Sequence, residues 1–311
     1  MKTMMNFTLS QDDTDRYRTA QELKAFYEAA GCDGLELMPL GEDQKGLIGP
    51  GMTVGVHACC LSDWMELDRS FLSGHYRKDL ETARALGARY VVFHVTQVDE
   101  EEIFTYRMKH TDREVIEAAA DLINGLLDGQ DYEFEFLMEN LWWPGLNFTD
   151  PSMTRLLLES VNYPQKGLML DTGHYLHTNR ALRSQGEALA WLHQMLDAHQ
   201  DLIPLIRGVH LQQSLTGACA EEWARRPPVP DPDPDVRAGQ LFSHIFSIDR
   251  HLPFTHPEVR RLIRRIDPAY VTYEYITRSK KEHARFLKAG RDALFADGSL
   301  SFGPEAPAAS L

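Results

Sequence analysis

Eight short β-rich runs recur along the whole chain, and helical stretches separate most of them. They are 3–9 (TMMNFTL), 34–38 (GLELM), 53–59 (TVGVHAC), 89–96 (RYVVFHVT), 133–139 (EFEFLME), 167–171 (GLMLD), 206–211 (IRGVHL) and 270–275 (YVTYEY). Several are too uniformly apolar to keep a solvated face, as parallel strands covered by helices require. Eight βα repeats in 311 residues predict an α/β fold, a closed (β/α)8 TIM barrel in a single domain spanning 1–297. An open doubly wound sheet is the rival architecture, but no Gly-rich dinucleotide or P-loop fingerprint accompanies the strands.

Helix punctuation fits the repeat. Residues 14–30 carry apolar positions at helical spacing and stop at Gly31, and 75–86 stop at Gly87, both suited to left-handed caps. Asp150-Pro151 offers an N-cap followed by proline at the first helical position, and Thr255 with Glu258 offers a capping box ahead of "VRRLIRRI". The four arginines of "RRLIRRID" flank an apolar stripe and read as a solvated helix face. The second unit, "PLGEDQKGLIGPG", leaves room for little helix. "RRPPVPDPDPDV" (225–236) reads as an extended loop inserted after strand seven, on the face where barrel active sites are built. It is either a cover for substrate or a solvated linker. From Gly298 the chain is small, polar and Pro-containing, so 298–311 is expected to be a flexible tail.

Charge and cysteine usage narrow the function classes. Lys and Arg total 32 against 46 Asp and Glu, a net charge of −14, which argues against a broad electrostatic grip on nucleic acid. The four cysteines, two of them adjacent, lack Cys-x-x-Cys spacing and suit reduced thiols. With no apolar signal core at the N-terminus and no run of 18 apolar residues, a cytoplasmic protein with no membrane span is expected.

The chemistry lies at the strand ends. Strand three ends in His57, four in His94, five in Glu139, six in Asp171 with His174 just beyond, seven in His210 and eight in Glu274; "SIDRHLP" adds Asp249 and His251. A lone histidine near a strand end is usually structural. Ionised carboxylates that close apolar runs are seldom buried without a partner, and a barrel aims all of these groups at one space. Carboxylates and imidazoles without thiolates predict a divalent metal, zinc foremost, with manganese or cobalt as alternatives.

The series His57, His94, Glu139, Asp171-Thr172-Gly173-His174, His210, Asp249-Arg250-His251, Glu274 resembles the ligand order of the endonuclease IV family, within the xylose isomerase-like barrel superfamily. The resemblance covers strands three to eight, most specifically "LMLDTGH", "RGVHL" and "DRH". It implies that His57 and His94 hold one metal and share Glu139 with a second, that Asp171, His210 and Glu274 complete the second, and that His174, Asp249 and His251 hold a third. It further implies phosphoester hydrolysis, in which metals lower the pKa of a bridging water and neutralise phosphate oxygens. The chain departs from that family where "HACC" replaces a His-x-Pro-Tyr type segment and "ENLWWPGLNF" replaces a Gly-rich one. Its first strand also begins differently and the stretch from His210 to Asp249 is long, so nucleic acid is not the expected partner.

A second resemblance uses fewer of the same residues. Ketose 3-epimerases bind one metal through positions matching Glu139, Asp171, His210 and Glu274, with His174 touching substrate. There Glu139 and Glu274 would move the proton of an enediolate reaction. In either case the substrate is small and sugar-like or phosphorylated. Arg250, between two proposed ligands, is a candidate for its oxygens, and Trp142 and Trp143 for its sugar ring or for plain packing.

Overall fold

A computed structural model describes residues 1–295; the segment read as a flexible tail lies outside them. The strands are β1 (Lys2–Thr8), β2 (Gly34–Met38), β3 (Thr53–His57), β4 (Tyr90–His94), β5 (Glu135–Glu139), β6 (Lys166–Asp171), β7 (Ile206–His210) and β8 (Tyr270–Tyr273). Each pairs in parallel with the next, and β8 returns to β1 through Lys2↔Tyr270 and Met5↔Tyr273, closing the eight-stranded barrel. The chain is therefore the single-domain (β/α)8 TIM barrel that the strand count predicts.

The α-helices are α1 (Gln11–Thr14), α2 (Ala20–Ala29), α3 (Arg69–Leu86), α4 (Glu100–Thr105), α5 (Asp112–Leu127), α6 (Pro151–Ser160), α7 (Thr172–Leu176), α8 (Gln185–Ala198), α9 (Gly217–Arg225), α10 (Pro234–Ile248), α11 (Val259–Ile266) and α12 (Lys280–Phe295). Among the described residues none separates β2 from β3, as that short connection foretells. Gly31 and Gly87 follow helices with φ of +79° and +65°, where a Cβ would be strained. Asp150 caps α6 by accepting from the Ser152 N–H, with Pro151 at the first position. On α11 the apolar stripe Val259, Leu262, Ile263 and Ile266 is buried; of the four flanking arginines Arg261 and Arg264 are exposed as expected, while Arg260 and Arg265 are half-buried, the first bonded to the Pro257 carbonyl and the second paired with Asp197. All four cysteines are free. No described helix is long and apolar enough to cross a membrane.

Four expectations need correction. The helix expected over 14–30 begins only at Ala20, because Thr19 caps α2 by accepting from the Glu22 N–H, and the separate short α1 has already ended at Thr14. The capping box at Thr255 and Glu258 does not form: the Thr255 N–H is taken by Gln185 Oε1 at 2.9 Å, and α11 starts without a side-chain cap. The loop at 225–236 is shorter than its composition implies. Asp233 accepts from the Asp235 and Val236 N–H groups and Pro234 opens α10, the same Asp-Pro device that starts α6. Lastly β8 stops at Tyr273, placing Glu274 one residue beyond it.

The barrel interior is filled by Met4, Val54, Tyr90, Val92, Leu137, Met169 and Tyr270, while a larger apolar core lies between strands and helices. This filled interior makes the barrel a rigid plug that presents its C-terminal rim as the floor of the site.

Candidate metal centre

Parallel register delivers the strand-end residues together. His94 is level with Glu139, and Asp171 with His210, each the last residue of its strand. Asp171 also caps α7, accepting the His174 N–H at 2.6 Å, which explains the three-residue spacing between the two. Gly173 lies between them because a Cβ there would stand only 2.0–2.1 Å from the Gln212 carboxamide. Asp249 follows the end of α10, and His251 is held at φ +47°.

Glu139 is the hub. Its Oε2 lies 3.0 Å from His57 Nε2 and 3.1 Å from His94 Nε2, and its Oε1 lies 2.9 Å from His210 Nδ1 and 3.5 Å from His174 Nδ1. His210 Nδ1 is also 3.2 Å from Glu274 Oε2 and 3.8 Å from Asp171 Oδ2. Asp249 Oδ2 lies 3.2 Å from His174 Nε2 and 2.7 Å from His251 Nε2. The side-chain donor atoms thereby fall into the sets His57/His94/Glu139, Glu139/Asp171/His210/Glu274 and His174/Asp249/His251, each within 4.8 Å internally; His57/His210/Glu274 forms a further, overlapping set. All nine sequence-predicted positions meet at one rim.

A supporting layer was not found by sequence reasoning. His57, His174 and His251 each donate from Nδ1 to a backbone carbonyl, of Ala58 (3.0 Å), Asn140 (2.9 Å) and Glu274 (2.9 Å). A carbonyl only accepts, so the proton is fixed on Nδ1 and Nε2 faces inward, the usual arrangement behind a metal ligand. The Asn140 carboxamide clamps the Asp171 backbone on both sides. Gln212 donates to Asp171 Oδ1 at 3.0 Å, and Ser214 to Asp249 Oδ1 at 3.1 Å. Glu36 accepts from Tyr90 at 2.6 Å and Thr272 at 2.7 Å, and its other oxygen is 2.9 Å from His210 Nε2. For Glu36 the signal was present: a carboxylate inside the apolar run "GLELM".

The electrostatics turn on what surrounds these carboxylates. Among the described residues, the ionic partners of Glu36, Glu139, Asp171, Asp249 and Glu274 are all imidazoles, with no Lys or Arg. Burial works to raise Glu139 and Asp249, but His210 and His94 hold the first, and His251 and His174 the second, well below the usual range. Burial lifts Asp171 to about 8. Conversely, burial opposes a proton on His174 and His210, yet the facing carboxylates raise both well above normal, and His251 reaches about 9. Buried carboxylates in such number demand compensating cations, which imidazolium protons supply here and a divalent ion would supply better. His94 Nδ1 and His177 Nε2 are buried without a hydrogen-bond partner. The donor set and these unsatisfied atoms fit a metal centre.

The three substrate candidates separate. Trp142 lies on His177 (ring centroids 4.5 Å apart) and His174 (5.4 Å), so it walls the site. Trp143 is buried in a small apolar cluster with Val98, Ile103 and Leu141, where it acts in packing. Arg250 is exposed, its backbone N–H bound to Ser214 Oγ at 2.8 Å.

The family description "Xylose isomerase-like TIM barrel" matches residues 5–294. No curated protein sequence matches the chain. Among solved structures it is similar to a D-tagatose 3-epimerase-like protein (TM-score 0.57, 14% identity, covering 96% of this chain and 100% of that one). It is also similar to the IOLI protein with a bound zinc atom (0.55, 16%, 96% and 100%) and to endonuclease IV from Thermus thermophilus (0.50, 16%, 95% and 100%). At such identities the likeness establishes the fold alone.

Proposed function

The chain belongs to the xylose isomerase-like TIM barrel family, and from that premise we propose that it is a divalent-metal-dependent enzyme, a multinuclear phosphoester hydrolase acting on a small phosphorylated or sugar-like substrate rather than on DNA. One observation carries the reading: all nine donors converge in four partly overlapping sets, three of which together include every donor, two of them sharing Glu139. His57 and His94 with Glu139 would hold one ion; Glu139, Asp171, His210 and Glu274 a second; His174, Asp249 and His251 a third. The donors suit zinc, with manganese or cobalt also accommodated. Divalent ions held by these residues would supply positive charge for the non-bridging phosphate oxygens and the leaving alkoxide.

The protein's own groups do the rest. Glu139, flanked by imidazoles at both oxygens, would orient the attacking water. Gln212, Ser214 and Asn140 keep Asp171, Asp249 and His174 in place, so little reorganisation is needed when charge develops. Trp142 shields one side from bulk water, and Arg250 at the outer edge takes a substrate oxygen. Leu241 and Ile245 of α10 pack, like Trp142, against the cluster that holds Trp143.

The alternative is a single-metal sugar isomerase or epimerase working through an enediolate. The favouring observation is that Glu139 and Glu274 flank His210 Nδ1 at 2.9 and 3.2 Å, as two proton-moving carboxylates beside one ion would. It leaves His57, His94, Asp249 and His251 without a task. Elemental analysis of protein purified without added metal decides. Two or three zinc ions per chain together with phosphomonoester or phosphodiester hydrolysis are expected; a single ion with ketose epimerisation and no hydrolysis overturns the hydrolase.

A further inference from the structure

His177 belongs to none of the groups described, yet it sits one turn after His174 at the end of α7, on the same side of that turn. Its ring is buried under Trp142, and its Nε2 has no hydrogen-bond partner. That atom stands 3.6 Å from Asp249 Oδ1, too far for a hydrogen bond, and the same oxygen already accepts from Ser214 Oγ at 3.1 Å and Gln212 Nε2 at 3.4 Å. A buried, unsatisfied imidazole nitrogen is destabilising unless a partner arrives.

Three imidazole nitrogens therefore surround one carboxylate: His251 and His174 approach Oδ2 at 2.7 and 3.2 Å, and His177 approaches Oδ1 at 3.6 Å. Ligand atoms about 2.0–2.1 Å from a tetrahedral zinc stand roughly 3.4 Å apart, close to the 3.2 Å between His174 and Oδ2, while His177 stands 3.6 Å from the other oxygen of the same carboxylate. We propose that the Asp249 group takes His177 as a fourth protein ligand, giving a closed site of three imidazoles and one carboxylate for zinc or a similar ion. His177 lies outside the 4.8 Å grouping of the other three, so loading draws its ring inward.

The inference rests on the multinuclear reading and sharpens it. A tetrahedral site filled by four protein atoms has no position for substrate or water. It would pin α7 to the segment after α10; by the same count Glu139, Asp171, His210 and Glu274 fill their own group, which leaves the three-ligand group of His57, His94 and Glu139 open to water or substrate.

The test replaces the bound metal with Co²⁺ in the full chain, because four-coordinate cobalt absorbs visible light far more strongly than five- or six-coordinate cobalt. His177→Ala and the shape-preserving His177→Gln are compared with wild type by elemental analysis, absorption and circular dichroism. Expected is loss of one ion per chain, or its retention at least about tenfold more weakly, with the intense absorption reduced by the share of that one site and the fold intact. An unchanged band and metal content in either folded variant overturns the proposal. Asp249→Asn separates the two readings. If it loses an ion while the His177 variants do not, only His177 is misassigned; if it loses none, the three-group reading fails and this proposal with it.

Discussion

Two sets of buried imidazoles in this molecule have proton affinities that move in opposite directions. His283 lies on α12 with Phe26 of α2 5.9 Å from its ring, and burial, reinforced by the Arg16 charge, pushes it down to about 3. At the rim, His174, His210 and His251 are as deeply buried, but carboxylates raise all three. His94 falls between: Glu139 attracts a proton to it, yet burial prevails and its pKa is lowered. Burial by itself makes a histidine an inert neutral ring; the same burial beside carboxylates makes a site that requires cations.

The sharpest way to break this contrast is to remove the hub. Glu139→Gln is expected to abolish tight metal binding and activity together while circular dichroism remains that of the barrel. The loss should exceed the ~10–100-fold typical of residues behind a ligand. Unaltered metal content would sink the centre. Glu36→Gln, which weakens the contact behind His210, is expected to lower metal affinity by about that 10–100-fold, read by competition with a chelator.

His283→Phe tests the other side. The native ring stays neutral down to about pH 3, whereas the unfolded chain protonates it near pH 6.5. Between those values the unfolded state binds more protons, so the native protein loses stability as pH falls. The variant lacks this contribution: relative to pH 7, wild type should lose roughly 2 kcal/mol more than the variant at pH 5, seen in paired denaturant titrations. Parallel pH dependence would show that His283 is solvated. The smallest effect is expected from Arg250→Ala, within ~0.5 kcal/mol of wild-type stability but with a raised KM for an anionic substrate. An unchanged KM removes Arg250 from the site.

These differences explain what could be read in the sequence. A parallel barrel needs little beyond strand identity to bring strand ends together, so His57, His94, Glu139, Asp171 and His210 were legible from local pattern. Glu274 was legible too, although its strand stops one residue short. Gln212, Ser214 and His177 were not, because each acts on a residue more than thirty positions away, and their roles depend on how loops fold over the rim. Trp142 and Trp143 are neighbours in sequence, yet one meets imidazoles and the other aliphatic side chains. Composition misled at 225–236, where prolines that argue against a helix interior instead begin one.

Closure of β8 onto β1 has a further consequence. Every strand has a hydrogen-bonded neighbour on both sides, so the sheet offers no unpaired edge to which another chain could add. Stripping cations from the rim disturbs side chains above the barrel without opening the ladder beneath them. Metal-depleted protein should therefore remain dispersed and refillable, with aggregation awaiting rupture of the barrel itself.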